Sequence, residues 1–224
     1  MELKERHYSI LRRHMVEVIE IYVELSAAEL GKDRLHPRVL DAMSRVPRHQ
    51  FVPDVLKPFA YNNSPLPIGF DKTISQPFIV AVMTDLLDPL PTHRVLEVGT
   101  GLGYHAAVLA ELVEQVWTVE IIEELATAAE QRLQELGYRN VTIRVGDGSQ
   151  GWPEHAPFDR ILVTAAAELI PPALLQQLAP GGRMVLPTGV PDDQKLSLVE
   201  KDPHGRTQVR EIMPVRFGEL ETVR

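Results

Sequence analysis

Residues 94–104 read Arg94-Val95-Leu96-Glu97-Val98-Gly99-Thr100-Gly101-Leu102-Gly103-Tyr104. The first half has the character of a buried strand that carries an acid near its end. A glycine-rich turn follows, and then a helical pattern over residues 106–112. Glycines at such a turn let the backbone approach a ligand with no Cβ in the way. The start of the next helix offers free N–H groups. Together these describe a pocket for a nucleoside-bearing cofactor, and hence an enzyme. The spacing selects the cofactor. A dinucleotide fingerprint requires G-x-G-x-x-G, whereas here the pattern is G-x-G-x-G at Gly99, Gly101 and Gly103, with Glu97 just before it. A pyrophosphate is disfavoured by that carboxylate, and a cationic or amino-bearing ligand is not. S-adenosylmethionine carries a sulfonium and an ammonium and no phosphate. A ligand-free strand–helix turn is the alternative reading of the same residues.

Outward from this run, strand and helix alternate. Strands are expected at Arg94–Val98, Gln115–Glu120, Val141–Val145, Arg160–Ala165 and Arg183–Pro187. Helices are expected at Glu123–Leu136 and Pro172–Gln177, with Pro180-Gly181-Gly182 as a turn. Such alternation implies right-handed crossovers and a mostly parallel sheet with helices on both faces. The segments Lys195–Glu200 and Thr207–Val215, split by Asp202-Pro203-His204-Gly205, read as an antiparallel C-terminal hairpin. The fold class is therefore α/β and Rossmann-like. Ahead of it, residues 7–30 have helical periodicity, with Ile10, Leu11, Met15, Val18, Ile19, Tyr22 and Leu25 as the apolar stripe and Gly31 as the stop. His36-Pro37 opens a second helix with Val39, Leu40 and Met43 inward, and Pro77 starts a third that runs to Leu87. Asn62–Ile74 reads as an ordered loop. Residues 1–90 thus form an N-terminal helical extension with a substrate loop, and residues 91–224 the cofactor-binding core, in one compact unit.

Composition narrows the class. The chain has 224 residues, 44% of them hydrophobic, and a net charge of −8, which speaks against a general nucleic-acid-binding surface. No apolar run reaches membrane-spanning length, and the N-terminus lacks the apolar stretch of a signal peptide, so a cytoplasmic location is expected. With no cysteine there is no disulfide, thiolate metal site or cysteine nucleophile. The eight histidines show no metal spacing, so no metal is expected; surfaces or helix caps are the places anticipated for them. Nothing in the sequence fixes the oligomeric state.

Three further motifs fall at strand ends or loops. Glu120 ends the second strand, 19 residues beyond Gly101. A carboxylate there can accept both hydroxyls of a ribose, or complement the dipole of the next helix; its register with the glycine loop favours the ribose. Gly146-Asp147-Gly148 ends the third strand, where Asp147 can face an adenine amino group and the Gly148 backbone a ring nitrogen, or form a plain Asp-Gly turn. In Asp71-Lys72-Thr73-Ile74-Ser75-Gln76-Pro77, Ser75 or Gln76 suits an N-cap or a catalytic role equally well. Asp159 reads as structural, and the small residues Thr164–Ala167 leave room for a substrate.

From about Arg45 to Phe217 the chain resembles protein-L-isoaspartate O-methyltransferases. The carriers are Arg45-Val46-Pro47-Arg48 through Phe51-Val52-Pro53, Leu66-Pro67-Ile68-Gly69, Thr73-Ile74-Ser75-Gln76-Pro77, the glycine run, Gly146-Asp147-Gly148 with Gly151-Trp152, Ala156-Pro157-Phe158-Asp159, Val163-Thr164-Ala165-Ala166 and Pro180-Gly181-Gly182-Arg183. The resemblance implies methyl transfer from S-adenosylmethionine to the free α-carboxylate of L-isoaspartyl residues in damaged proteins. The ester would then cyclise to a succinimide, and hydrolysis would return some normal aspartate. It implies Ser75 as the active-site residue, and Thr73, Ile74 and Ser75 beside Glu97, Gly99, Gly101, Gly103, Glu120, Asp147 and Gly148 as cofactor-binding residues. The chain departs from the family at Leu102, at Lys72, in the apparent insertion Ser26–Arg34, and in the tail Val215-Arg216-Phe217-Gly218-Glu219-Leu220. Lys72 either attracts the anionic substrate or is simply solvated. Two other readings stay open: a methyltransferase of the same fold acting on a different peptide carboxylate, and a non-catalytic S-adenosylmethionine-binding protein. A nucleotide-dependent oxidoreductase is disfavoured by the glycine spacing and Glu97.

Overall fold

The computed structural model describes residues 2–223, with side-chain surroundings from Glu5 onward. The N-terminal part contains α1 (Glu2–Leu25), α2 (Ala27–Leu30), α3 (Pro37–Arg45), the short strands β1 (Leu66–Gly69) and β2 (Lys72–Ile74), and α4 (Pro77–Leu87). The remainder is β3 (Arg94–Val98), α5 (Tyr104–Ala110), β4 (Gln115–Glu120), α6 (Glu123–Glu135), β5 (Val141–Val145), β6 (Phe158–Val163), α7 (Pro172–Gln177), β7 (Leu178–Val190), β8 (Asp193–Lys201) and β9 (Thr207–Val215).

Seven strands form one sheet in the order β5-β4-β3-β6-β7-β8-β9. The pairs from β5 to β7 are parallel, and β8 and β9 join antiparallel. The chain leaves β3 toward β4 and β5 on one side, then returns to place β6 and β7 on the other. That reversal opens a crevice at the carboxyl ends of β3 and β6, where ligands bind in open α/β sheets. Side chains alternate across the sheet. Val95, Val116, Leu162 and Val185 face a core shared with Met15, Met83 and Leu109. Leu96, Trp117, Ile161 and Met184 face a second core with Leu174 of α7. Helices therefore cover both faces unequally, with α1 and α3–α6 on the first and α7 on the second.

Several sequence expectations change in detail. The long first helix breaks at Ser26, and α2 ends at Gly31 in the left-handed region, φ 70°. Its buried stripe is Met15, Ile19 and Val23, while Ile10, Tyr22 and Leu25 are exposed. The supposed loop Asn62–Ile74 contains the antiparallel hairpin β1–β2. Its two turn residues, Phe70 (φ 53°) and Asp71 (φ 54°), both have positive φ, as a type I′ turn demands. Phenylalanine pays about 1–2 kcal/mol in that region, so the sequence carries no turn signal. Pro180-Gly181-Gly182 is a bulge inside β7 rather than a turn before it: Phe158 pairs with Leu178, and Arg160 next with Arg183. β6 ends at Val163, leaving Thr164 and Ala165 free of the strand. His49 and His105 are buried, not at the surface.

Candidate active site

A cavity of about 730 Å³ opens at the crevice, within the size range of small-molecule sites. The parallel sheet supplies its floor: Val98 at the end of β3 and Gly99 after it, Glu120 at the end of β4, Gly148 after β5, and Thr164 and Ala165 after β6. The N-terminal part supplies one wall through Tyr22, Ile68, Thr73, Ser75 and Phe78, and the end of β9 with the tail supplies another through Met213, Phe217 and Glu221.

The glycine loop is shaped for close approach. Gly99, Gly101 and Gly103 have φ of 94°, 54° and 93°, values that L side chains rarely adopt. A Cβ on Gly99 would lie 2.3 Å from Thr164 Oγ1, and one on Gly148 2.3 Å from Val98 Cγ1. Gly103 plays another part. It sits at the N-cap of α5 and does not line the cavity; its missing Cβ makes room for Leu133 of α6, 3.2 Å away.

Glu120 is buried and held from two sides. Gly101 N–H donates to its Oε2 at 2.8 Å and Ile122 N–H to its Oε1 at 3.1 Å. Ile122 is the N-cap residue of α6, so this carboxylate does serve the helix terminus. Each oxygen keeps a second lone pair for a hydroxyl from the cavity. The register that places Glu120 beside Gly101 is the parallel β3–β4 pairing, Val98 opposite Val119.

Glu97 is wholly buried and does not line the cavity. Thr118 Oγ1 donates to its Oε2 at 2.6 Å, while the buried Oε1 has no partner among the described residues. Burial pushes its carboxyl up to about 8 against the pull of the Thr118 hydrogen bond, with a smaller upward push from Glu120. A raised carboxyl pKa means that the folded state keeps its proton while the unfolded chain loses it. Stability of the cofactor-free protein from this group is therefore intact below about pH 4.5 and declines as pH rises toward about 8. Comparing denaturation of the wild type with Glu97→Gln across that window should show a shallower decline in the variant; identical pH profiles would contradict it.

Asp147 stands outside the cavity wall as well. Its Oδ1 accepts from Ser149 N–H at 2.9 Å as the cap of a short 3-10 turn, and its Oδ2 accepts from Val223 N–H at 3.1 Å. Ile74 is buried and points away from the cavity lining, whereas Thr73 is exposed within it. The N-cap alternative for Ser75 and Gln76 is not used. Gln76 occupies the cap of α4 without a side-chain hydrogen bond, and Asn63 Oδ1 instead accepts from Phe78 N–H at 3.0 Å. Among the described residues no hydrogen bond engages the Ser75 hydroxyl, which lines the cavity. Lys72 also lines it, paired with Glu221 of the tail, so its charge is already partnered.

Two contributors carry no motif that would flag them in the sequence. Tyr22 and Ser26, from the end of α1 and the break after it, reach the cavity. The tail is held across it by Ala166 N–H donating to Gly218 O at 2.7 Å and Leu220 N–H to Ala166 O at 2.8 Å. Gln194 clamps the backbone of Phe217 from both sides. Asp159 is structural, as expected, accepting from Arg94 N–H at 2.8 Å.

This sheet, with a glycine cradle and a ribose-competent acid at its switch point, defines a nucleoside-cofactor enzyme of the methyltransferase type. The chain belongs to the protein-L-isoaspartate(D-aspartate) O-methyltransferase (PCMT) family, whose model matches residues 25–222. It is 57% identical to protein-L-isoaspartate O-methyltransferase 1 of Polaromonas sp. strain JS666 over 98% of this chain and 93% of that one. A solved protein-L-isoaspartate O-methyltransferase matches with TM-score 0.79 and 26% identity, covering 93% of this chain; the chain spans 65% of that structure's length. A Plasmodium falciparum PCMT structure in complex with S-adenosyl-L-homocysteine matches in fold with TM-score 0.79 and 21% identity, over 94% of this chain and 98% of that one. The enzyme class is thus S-adenosylmethionine-dependent protein carboxyl O-methyltransferase. The residues present suit that cofactor: Glu120 can receive a ribose and the glycines leave a cradle, whereas Glu97, buried outside the cavity, does not face a ligand and so has no part in excluding a pyrophosphate. Among the described residues no helix is long and apolar enough to cross a membrane.

Proposed function

We propose that the cavity works as one site with two ends, Glu120 and the glycine loop holding the cofactor and Ser75 holding the substrate carboxylate. The observation that carries this reading is the free Ser75 hydroxyl in the same cavity as Gly99, Gly101, Glu120 and Gly148. The substrate is the α-carboxylate of an L-isoaspartyl residue in a damaged, locally flexible protein. S-adenosylmethionine supplies an electrophilic methyl group on a sulfonium. The carboxylate is ionised near neutral pH, since its reference pKa is about 4, so no general base is required. The protein's share is placement. Ser75 donates a hydrogen bond to one carboxylate oxygen and leaves the other free to attack. Glu120 would accept the ribose hydroxyls, and the backbone at Gly99 and Gly101 would line the cofactor's end of the cavity. Phe78, Ile79, Met213 and Phe217 keep water out and strengthen each charge interaction inside. Orientation of this kind is worth roughly 7–11 kcal/mol in favourable cases. Recognition through an extended backbone segment suits a substrate defined by damage rather than by sequence, and we place the reaction in the cytoplasm.

The test uses cofactor labelled in its methyl group and two peptides that differ only in L-isoaspartate or L-aspartate. Base-labile label in the isoaspartyl peptide alone is the expected result. Label in neither peptide, with S-adenosylhomocysteine still bound, would overturn the substrate assignment and leave another carboxylate or a silent binding protein.

A further inference from the structure

Arg48 is wholly buried, and no step described above uses it. It opens the 3-10 turn Arg48–Phe51. Its Nε donates to Ala60 O at 2.8 Å and its Nη2 to Ser75 O at 2.8 Å. The guanidinium carbon lies 4.7 Å from the ring centroid of Tyr104, the first residue of α5 and the one directly after Gly103. Among the described residues the buried Nη1 finds no partner. Among the described residues no carboxylate pairs with this cation.

Such an arrangement is costly. A buried charge without an opposite charge is disfavoured, and an apolar side chain of similar volume fills such space at lower cost. Burial pushes the guanidinium down to about 10, yet it remains protonated at neutral pH. Filling volume therefore does not account for an arginine here. An apolar residue cannot hold the carbonyl of Ser75, the turn at Ala60 and the ring that begins α5 in one rigid fork, and a planar guanidinium can.

We propose that Arg48 is a positioning residue for methyl transfer, tying the backbone of Ser75 to the helix that follows the glycine loop, so that the carboxylate-holding hydroxyl keeps its place against the cofactor cradle. This rests on the role of Ser75 given above. Arg48 touches neither substrate nor cofactor; it acts through Ser75.

A double-mutant cycle tests it, using the full chain and isoaspartyl peptide, with turnover expressed per S-adenosylhomocysteine-binding site. Arg48→Lys keeps the charge and loses the fork. It should lower kcat about ten- to a hundredfold, the penalty of a displacement on the order of 1 Å, while the affinity for S-adenosylhomocysteine stays within about twofold. In a Ser75→Ala background the same change should alter kcat by less than about twofold, because the group it positions is gone. Independent losses that multiply in the double variant would show a merely structural role and overturn the proposal. So would an Arg48→Lys protein with normal kcat per site. Should Ser75→Ala alone keep full turnover, the Ser75 reading fails first, which separates that failure from this one. Arg48→Gln replaces Arg48→Lys if the latter does not fold. The wild-type protein offers a check free of folding effects: the Arg48 Nε–H resonance should shift when isoaspartyl peptide, but not aspartyl peptide, joins the S-adenosylhomocysteine complex. An unmoved resonance counts against the proposal.

Discussion

Ser75→Ala should lower kcat on an isoaspartyl peptide by about ten- to a hundredfold and leave the affinity for S-adenosylhomocysteine within about twofold. A hydrogen bond to a charged group is worth about 1.5–3 kcal/mol, and about 1.4 kcal/mol is a factor of ten. The Ser75 hydroxyl has no role in the fold: α4 is capped by Asn63, and the link to Arg48 uses the Ser75 backbone carbonyl. Removing the oxygen therefore deletes a donor without opening the structure, and the melting temperature should barely move. Equal losses of turnover and cofactor affinity would place the hydroxyl on the cofactor instead.

Glu120→Ala should do the reverse, weakening S-adenosylhomocysteine at least a hundredfold, about 3 kcal/mol or more. The loss of affinity comes from the ribose, which loses its acceptors; the N–H groups of Gly101 and Ile122 lose theirs with or without cofactor. An orphaned buried donor costs about 1–3 kcal/mol, so the cofactor-free protein should also melt earlier. Glu120→Gln retains one carbonyl oxygen and should fall between. Calorimetric titration with S-adenosylhomocysteine reads both variants; unchanged affinity in Glu120→Ala would remove this residue from the cofactor site.

The parts of the fold that were legible are those where local pattern and burial agree. β3 and β4 lie at the expected residues because strands buried on both faces read as near-continuous apolar runs, and β5, a half-exposed edge strand, because its β-branched residues alternate with polar ones. Glu120 was found through register, which parallel pairing with β3 fixes. The glycine alternation located the loop, but it could not say which glycine faces a ligand and which a helix; Leu133, some thirty residues away, decides that for Gly103. For α1 the sequence offers two neighbouring apolar stripes, and packing against α3 and α4 selects Met15, Ile19 and Val23. The β1–β2 hairpin was hidden because Phe70 and Asp71 occupy a turn that glycine and asparagine prefer. The tail's place on the cavity was equally hidden, since it depends on backbone pairing with Ala166. Arg48 belonged to a recognised motif, but its geometry alone gives it a task.

The central claim is that one cavity brings the nucleoside to Glu120 and the isoaspartyl carboxylate to Ser75. A crystal structure of the protein with S-adenosylhomocysteine and an isoaspartyl peptide tests it most directly. The account predicts both ribose hydroxyls on Glu120 and a carboxylate oxygen about 3 Å from the Ser75 hydroxyl, with the other oxygen facing the sulfur. A nucleoside bound away from Glu120, or a carboxylate held by other side chains with Ser75 untouched, would contradict it.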